Sequence, residues 1–383
     1  LKELFSGRIT AGNGVVLHRF EREIDPMSQS RLFSSFHLRS VGFPNRIGMS
    51  PMCQYSCREG FISDWHLVHL GSRAVGGAGL ILFEATAVSP EGRISPLDLG
   101  IWNDSHIEGL ARCVRFIHGH GSVAGIQLAH AGRKACTPPP WQKGASVAEA
   151  DGGWRPIFAP SAISFSTDSV VPKALEKGEI QQILSSFFEA AKRAYEAGFR
   201  VIEIHAAHGY LLHQFLSPLT NHRQDEYGGT FENRTRLLRE VIQEVRKAWP
   251  EELPLFVRIS ATDWVEGGWN LEQTVELSKQ LKTLGIDLMD VSSGGLLPNV
   301  KIPVAAGYQV PFAECVRRNA LIPTAAVGLI KEPLQAEEII EKGEADMVLL
   351  GRQLLREPYW PQRAAKELKA PVPHPIQYDR AIP

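Results

Sequence analysis

No stretch of the chain approaches the roughly 18 consecutive apolar residues that a membrane span needs, and the first thirty residues hold no apolar block like that of a secretory signal. Cysteine is scarce: Cys53, Cys57, Cys113, Cys136 and Cys315 are too few and too scattered for a disulfide framework, so a reducing, cytoplasmic setting is expected. Charge of one sign is also missing. With 41 Lys and Arg against 42 Asp and Glu the net charge is −1, which gives no reason to expect nucleic acid or an anionic membrane as partner. What remains is 383 residues, 44% hydrophobic and 22% charged, the composition of a globular protein with ample core.

Residues 1–30 show no sustained periodicity and read as an appendage, non-native or disordered. The chain opens on Leu1 and the globular pattern starts only after Met27, so residues 1–26 are expected to be a leader, an expression remnant or a translated upstream segment. From residue 46 short apolar runs alternate with longer amphipathic ones, the pattern of repeated βα units. The eight strands expected are Arg46–Met49, Leu80–Glu84, Ala124–Leu128, Val201–His205, Leu255–Ile259, Leu288–Val291, Thr324–Val327 and Met347–Leu350. Helices are expected at Ser105–Ile117, Ile180–Ala197, Phe231–Ala248, Leu271–Leu284 and Leu334–Lys342, with Gly198, Gly285 and Gly343 just past helix ends. Eight such units predict an α/β fold, a single (β/α)8 TIM barrel over residues 31–370.

Barrel chemistry sits where strands reach their carboxyl ends. Strand four ends in His205-Ala206-Ala207-His208-Gly209-Tyr210, two imidazoles and a phenol in one small volume. Such a set suits polarising a carbonyl and delivering a proton nearby. His205, His208, His213 and His222 are also close enough in sequence to suggest a metal site, and spacing alone leaves both readings open. Gly328 follows strand seven, and Gly351 and Arg352 follow strand eight, where this fold often binds phosphate on glycine N–H groups and an arginine clamp. The long loop 136–171, with Trp141 and Trp154 among prolines and glycines, is expected to act as a lid or binding segment. The proline-rich tail 371–383 cannot be an extended helix and is expected to dock at a subunit interface.

These residues together resemble the Old Yellow Enzyme family of flavin-dependent ene-reductases, in its thermophilic-like branch. The matching pieces are Ser50-Pro51-Met52-Cys53-Gln54-Tyr55, Glu84-Ala85-Thr86-Ala87, the run from Ile126 to Lys134, the run from Glu203 to Tyr210, Phe215–Pro218, Asn221–Arg223, Asp225–Gly229, Val257–Ser260 and Leu350–Arg352. Loop 136–158 is longer than in the shortest members of that branch, and residues 1–30 have no counterpart there.

The resemblance implies non-covalent FMN, with NADPH or NADH as reductant. It puts Ser50, Pro51, Met52, Cys53 and Ala85 along the flavin, Gln127 and Arg258 at its pyrimidine side, and Gly328, Gly351 and Arg352 at its phosphate. His205 and His208 would grip the substrate oxygen and Tyr210 would supply the proton, with Tyr55 also reaching that oxygen. Arg380 would reach the neighbouring subunit's site in a homodimer or homotetramer. The substrate would be an activated alkene: an α,β-unsaturated carbonyl, nitroalkene, maleimide or quinone. The alternatives are a metal-dependent hydrolase on the same barrel and a non-catalytic flavin-binding protein, which would have no need of the histidine pair or Tyr210. An iron–sulfur cysteine cluster and an added nucleotide domain, as in dienoyl-CoA reductases, are not in the sequence.

Overall fold

The computed structural model describes residues 30–371 and 374–381, so the leader or appendage expected before residue 30 lies outside the described residues. Ser30 already belongs to the body, its hydroxyl donating to Glu337 at 2.6 Å. A short antiparallel hairpin follows, β1 (Phe36–Leu38) and β2 (Val41–Phe43). Then come the first barrel units, β3 (Ile47–Met49), α1 (Asp64–Val75), β4 (Leu80–Ala87), α2 (Ile107–Gly119) and β5 (Val123–Ala129). The loop excursion contributes β6 (Phe158–Ala159) and β7 (Lys173–Ala174), which pair in parallel. The remaining elements are α3 (Lys177–Glu196), β8 (Val201–Ala206), α4 (Leu211–Leu216), α5 (Phe231–Ala248), β9 (Leu255–Ser260), α6 (Leu271–Thr283), β10 (Leu288–Ser292), α7 (Val310–Ala320), β11 (Thr324–Ala326), α8 (Pro333–Glu341), β12 (Met347–Leu350), α9 (Arg352–Arg356) and α10 (Trp360–Leu368).

The eight expected strands form one closed parallel barrel in the order β3, β4, β5, β8, β9, β10, β11, β12, with Val348 opposite Ile47 where it closes. Because side chains alternate faces along a strand, each run divides into two sets. Ile202, Ile204, Val257, Ile259, Met289 and Val291 point outward into the main apolar core, shared with helices such as α3 and α5. Their neighbours point inward, in layers. At the bottom, Leu80, Val123, Val201, Phe256, Leu288 and Met347 make a second apolar cluster, plugged from below by the hairpin's Leu38, Val41 and Phe43. One step up, the same strands present Gln127, Glu203, Arg258 and Asp290, all fully enclosed. A further step brings His205, Ser260 and Ser292 to the mouth. The interior therefore grades from apolar to charged to polar along its axis.

Boundaries differ where local chemistry intervenes. β4 runs on to Ala87 because Glu84 sits in a register shift between Phe83 and Ala85. α2 starts at Ile107 because a 3-10 turn, Asp104–His106, capped by the Asn103 side chain on Ser105 N, occupies the expected first turn. The loop 136–171 packs in part: Trp154 donates Nε1–H to Glu91 O at 3.0 Å and lies under Arg93, whereas Trp141 is 67% exposed with its edge against Tyr55. The tail carries one 3-10 turn, Ile376–Tyr378, whose Tyr378 approaches Tyr359 near the start of α10.

Candidate active site

Beyond β8 the chain must turn sharply to enter α4. It does so through His208 (φ 58°) and Gly209 (φ 75°), with the His208 N–H donating to Ser260 Oγ at 3.0 Å. A Cβ at Gly209 would lie 2.3 Å from Gly295 O, so glycine is required there. The turn brings the three side chains together: the His205 ring is 5.3 Å from His208 and 4.9 Å from Tyr210, both edge-on.

A backbone hydrogen bond fixes the His205 tautomer. His205 Nδ1 accepts from Ala207 N at 3.3 Å, so its proton is on Nε2. His208 Nε2 meets Ser292 Oγ at 2.7 Å, while the other acceptor near Ser292, Gln309 Oε1, is 3.3 Å away and already takes a 2.6 Å bond from Ser293. Ser292 thus has two acceptors for its one hydroxyl proton, His208 Nε2 and Gln309 Oε1. His205 keeps its Nε2–H uncommitted, and His208 keeps Nδ1 uncommitted. Burial first, then Arg258, with His213 and Lys134 adding to both and His205 to His208, holds both histidines well below the usual imidazole range, so both are neutral. Burial pushes the Tyr210 phenol well up, with Cys53, Tyr55 and Asp98 adding to it, so it too stays protonated.

Two charged residues complete this volume without a role having been read for them in the sequence. Lys134 Nζ donates to His208 O at 2.9 Å and Gly295 O at 3.1 Å and sits 5.1 Å over the Tyr210 ring. Burial brings its ammonium down to about 8. Asp98 lines the same small space as Tyr210, between Ala85, Ala87 and Gly92, and burial raises its carboxyl to about 7.

Below lies the charged layer. Gln127 Nε2 donates to Glu203 Oε1 at 2.8 Å, Arg258 Nε lies 3.1 Å from Asp290 Oδ2, and Arg258 also donates to Ser50 Oγ at 3.0 Å. Ser50 leads into Pro51, Met52 and Cys53, all partly exposed at the mouth, and burial raises the Cys53 thiol well above its usual value. Gly351 follows β12, and the position of a Cβ on it is 3.7 Å from Met52 Sδ and 4.0 Å from Ser50 Cβ, room that a side chain would fill. Gly328 follows β11 with φ 121°, and Arg352 is exposed beside Gly351. Ala85 is buried on β4; Tyr55 is partly exposed; Arg380 is exposed on the tail.

The four histidines of the rival metal reading are not among the groups of ligand-type atoms that could share an ion in the described residues. His213 Nε2 meets Asp263 at 2.8 Å while its Nδ1 accepts from Gly209 N, and His222 is exposed, its backbone N–H on Ser161 Oγ. Among the described residues the one group of ligand-type atoms close enough to share an ion is Cys57, His66 and Glu84, elsewhere in the barrel wall. There His66 Nδ1 accepts from Ser63 N at 3.2 Å, which puts the proton on Nε2, the nitrogen facing Glu84 at 3.3 Å and Cys57 at 3.6 Å. A protonated nitrogen has no lone pair for a metal. This trio is a hydrogen-bonded cap on α1.

Residues 31–370 match the model of the NADH:flavin oxidoreductase / NADH oxidase family. The NADPH dehydrogenase of Geobacillus thermodenitrificans is 52% identical over 351 residues, covering 91% of this chain and 98% of its own length. That of Halalkalibacterium halodurans is 52% identical over 355 residues, 92% of this chain and 99% of its own. Among solved structures, morphinone reductase superposes with a TM-score of 0.73 at 28% identity, over 92% of this chain and 93% of its own. An Old Yellow Enzyme homologue from Zymomonas mobilis gives 0.73 at 28%, over 90% and 95%.

Proposed function

Because this chain belongs to the NADH:flavin oxidoreductase / NADH oxidase family, we propose that it is an ene-reductase, reducing the C=C bond of activated alkenes. It is an oxidoreductase of the Old Yellow Enzyme type, with FMN as cofactor and NAD(P)H as reductant. The residues at the barrel mouth fit that cofactor: a buried amide and guanidinium rise from the charged layer, and glycine stands where a Cβ would fill the space beside Ser50 and Met52. Gln127 and Arg258 would hold its pyrimidine side, Ser50, Pro51, Met52, Cys53 and Ala85 its edge, and Gly328, Gly351 and Arg352 its phosphate. Held by these residues, FMN would supply the hydride chemistry that links NAD(P)H to the β-carbon of the alkene.

The observation that carries the reading is the free Nε2–H of neutral His205 beside the uncommitted Nδ1 of neutral His208 and a protonated Tyr210. With the His208 proton on Nδ1, two donors on one oxygen draw charge onto it and make the β-carbon electrophilic. Tyr210 then gives its proton to the α-carbon. Tyr55 would approach the same oxygen. A non-catalytic flavin-binding protein would require none of these groups.

Purified protein is expected to show flavin absorption bands that bleach anaerobically with NADPH and return with 2-cyclohexenone. A colourless protein that takes up no FMN would overturn the cofactor and mechanism together. The tail gives a second test, because a homodimer or homotetramer would let Arg380 enter the neighbouring site. Arg380→Ala is expected to raise KM for the enone about tenfold, the scale of one charge-assisted hydrogen bond; unchanged KM and turnover would defeat the shared site.

A further inference from the structure

The charged layer under the mouth holds two carboxyls and one cation. Glu203 and Asp290 are fully buried and Arg258 is 5% exposed. Strand register sets two pairs, Gln127 with Glu203 across β5 and β8 and Arg258 with Asp290 across β9 and β10, both on the barrel's inner face. Gln127 occupies Glu203 Oε1, and Arg258 Nε faces Asp290 Oδ2 at 3.1 Å. Among the described residues no N–H or O–H of another side chain or backbone hydrogen-bonds Glu203 Oε2 or either Asp290 oxygen. The two carboxyls are close enough to act on each other's ionisation, and two enclosed carboxyls that close are stabilised by one proton held between them. Charge counting agrees, since two ionised acids against one arginine would leave a net negative charge sealed inside the barrel.

We propose that Glu203 and Asp290 form a proton-sharing acid pair, carrying one negative charge between them against Arg258, and so set the potential at which FMN bound above Gln127 and Arg258 is reduced. The inference rests on that placement of the cofactor. Either carboxyl can hold the charge. With both in place Glu203 keeps the proton, donating it to the Asp290 carboxylate that faces Arg258. If Asp290 is neutralised, Glu203 ionises and takes over. Burial raises both acids, and Arg258 opposes the rise in each. The other groups that face them are neutral, Gln127 from β5 and His205 from the same row of β8. The pair is a positioning device: it touches neither substrate nor cofactor, and it keeps Gln127 and Arg258 in place while limiting how much positive charge Arg258 presents upward.

Charge sharing predicts a non-additive series. Midpoint potentials of wild-type, E203Q, D290N and E203Q/D290N holoenzymes are measured by anaerobic dye titration. Each single variant is expected to keep the wild-type potential, because the remaining carboxyl carries the charge. The double variant leaves Arg258 uncompensated and is expected to raise the equilibrium constant for reduction at least tenfold, about 30 mV for two electrons. Single variants that each raise the potential, with a double equal to their sum, would mean two independent carboxylates and overturn the proposal. Infrared spectra of the protein supply a measurement that needs neither turnover nor flavin. Well above pH 7, where Asp98 is ionised, one buried carboxylic-acid band is expected in wild type and in neither single variant; its absence from wild type overturns the pair even if a variant fails to fold. Failure of the wild type to bind FMN would instead overturn the cofactor placement, with the infrared band still deciding whether the proton is shared.

Discussion

Tyr210→Phe is expected to slow reoxidation of the reduced enzyme by 2-cyclohexenone by about 10²–10⁴-fold, the usual contribution of a positioned general acid, while bleaching by NADPH keeps its rate. The substitution removes one oxygen and preserves the ring that packs edge-on against His205 at 4.9 Å. Burial keeps the phenol protonated throughout the neutral range, so no prior ionisation is needed before it donates. A raised phenol is a weaker acid, but the α-carbon of an enolate is a far stronger base than any phenolate, so transfer remains downhill. Lys134, 5.1 Å above the ring, stabilises the phenolate left behind. Without the hydroxyl the proton must come from water. Stopped-flow traces of the two half-reactions check this directly, and equal reoxidation rates in the two proteins would remove Tyr210 from the mechanism.

Much of this site could be read from the chain because a parallel strand buried on both faces is a short, nearly continuous apolar run. Met347–Leu350 and Phe231–Ala248 have the bounds expected from the sequence, and the polar groups following each run fall at the barrel mouth. The hairpin Phe36–Leu38 and Val41–Phe43 was not legible, since three residues are too few to show alternation. Lys134 was quoted within a motif but given no task, because its partners His208 and Gly295 are distant in sequence. Glu203 and Asp290 did leave a trace. Each is a carboxyl flanked by apolar residues, Ile202 and Ile204 in one case and Met289 and Val291 in the other, and alternation alone puts such a residue on the inner face. What alternation cannot supply is barrel closure, which turns the inner faces of β8 and β10 toward the same interior.

His205→Ala and His208→Ala are each expected to lower kcat/KM for 2-cyclohexenone by about 10²–10³-fold, the loss typical of one fixed donor to a developing oxyanion. The double variant should lose less than the product, because a single donor orients the oxygen poorly and the second removal then forfeits little. Both imidazoles lie well below the usual range, held there chiefly by burial and then by Arg258, so they remain neutral as pH falls through about 6.5, where an ordinary histidine would gain its proton. Reoxidation by the enone is therefore expected to show no histidine inflection between about pH 6 and 8. An inflection near 6.5 that vanished in either variant would mean a charged imidazolium grips the substrate. Neutral donors have a mechanical advantage here. Arg258 already supplies positive charge beneath the mouth, and a second cation beside it would be destabilised by repulsion in a water-poor volume. Neutral N–H groups can polarise the oxygen without that penalty, provided their tautomers are fixed. On His208 the tautomer turns on Ser292, whose one hydroxyl proton has both Nε2 at 2.7 Å and Gln309 Oε1 at 3.3 Å as acceptors: given to the histidine it leaves that ring a donor through Nδ1, and given to the glutamine it leaves the ring an acceptor.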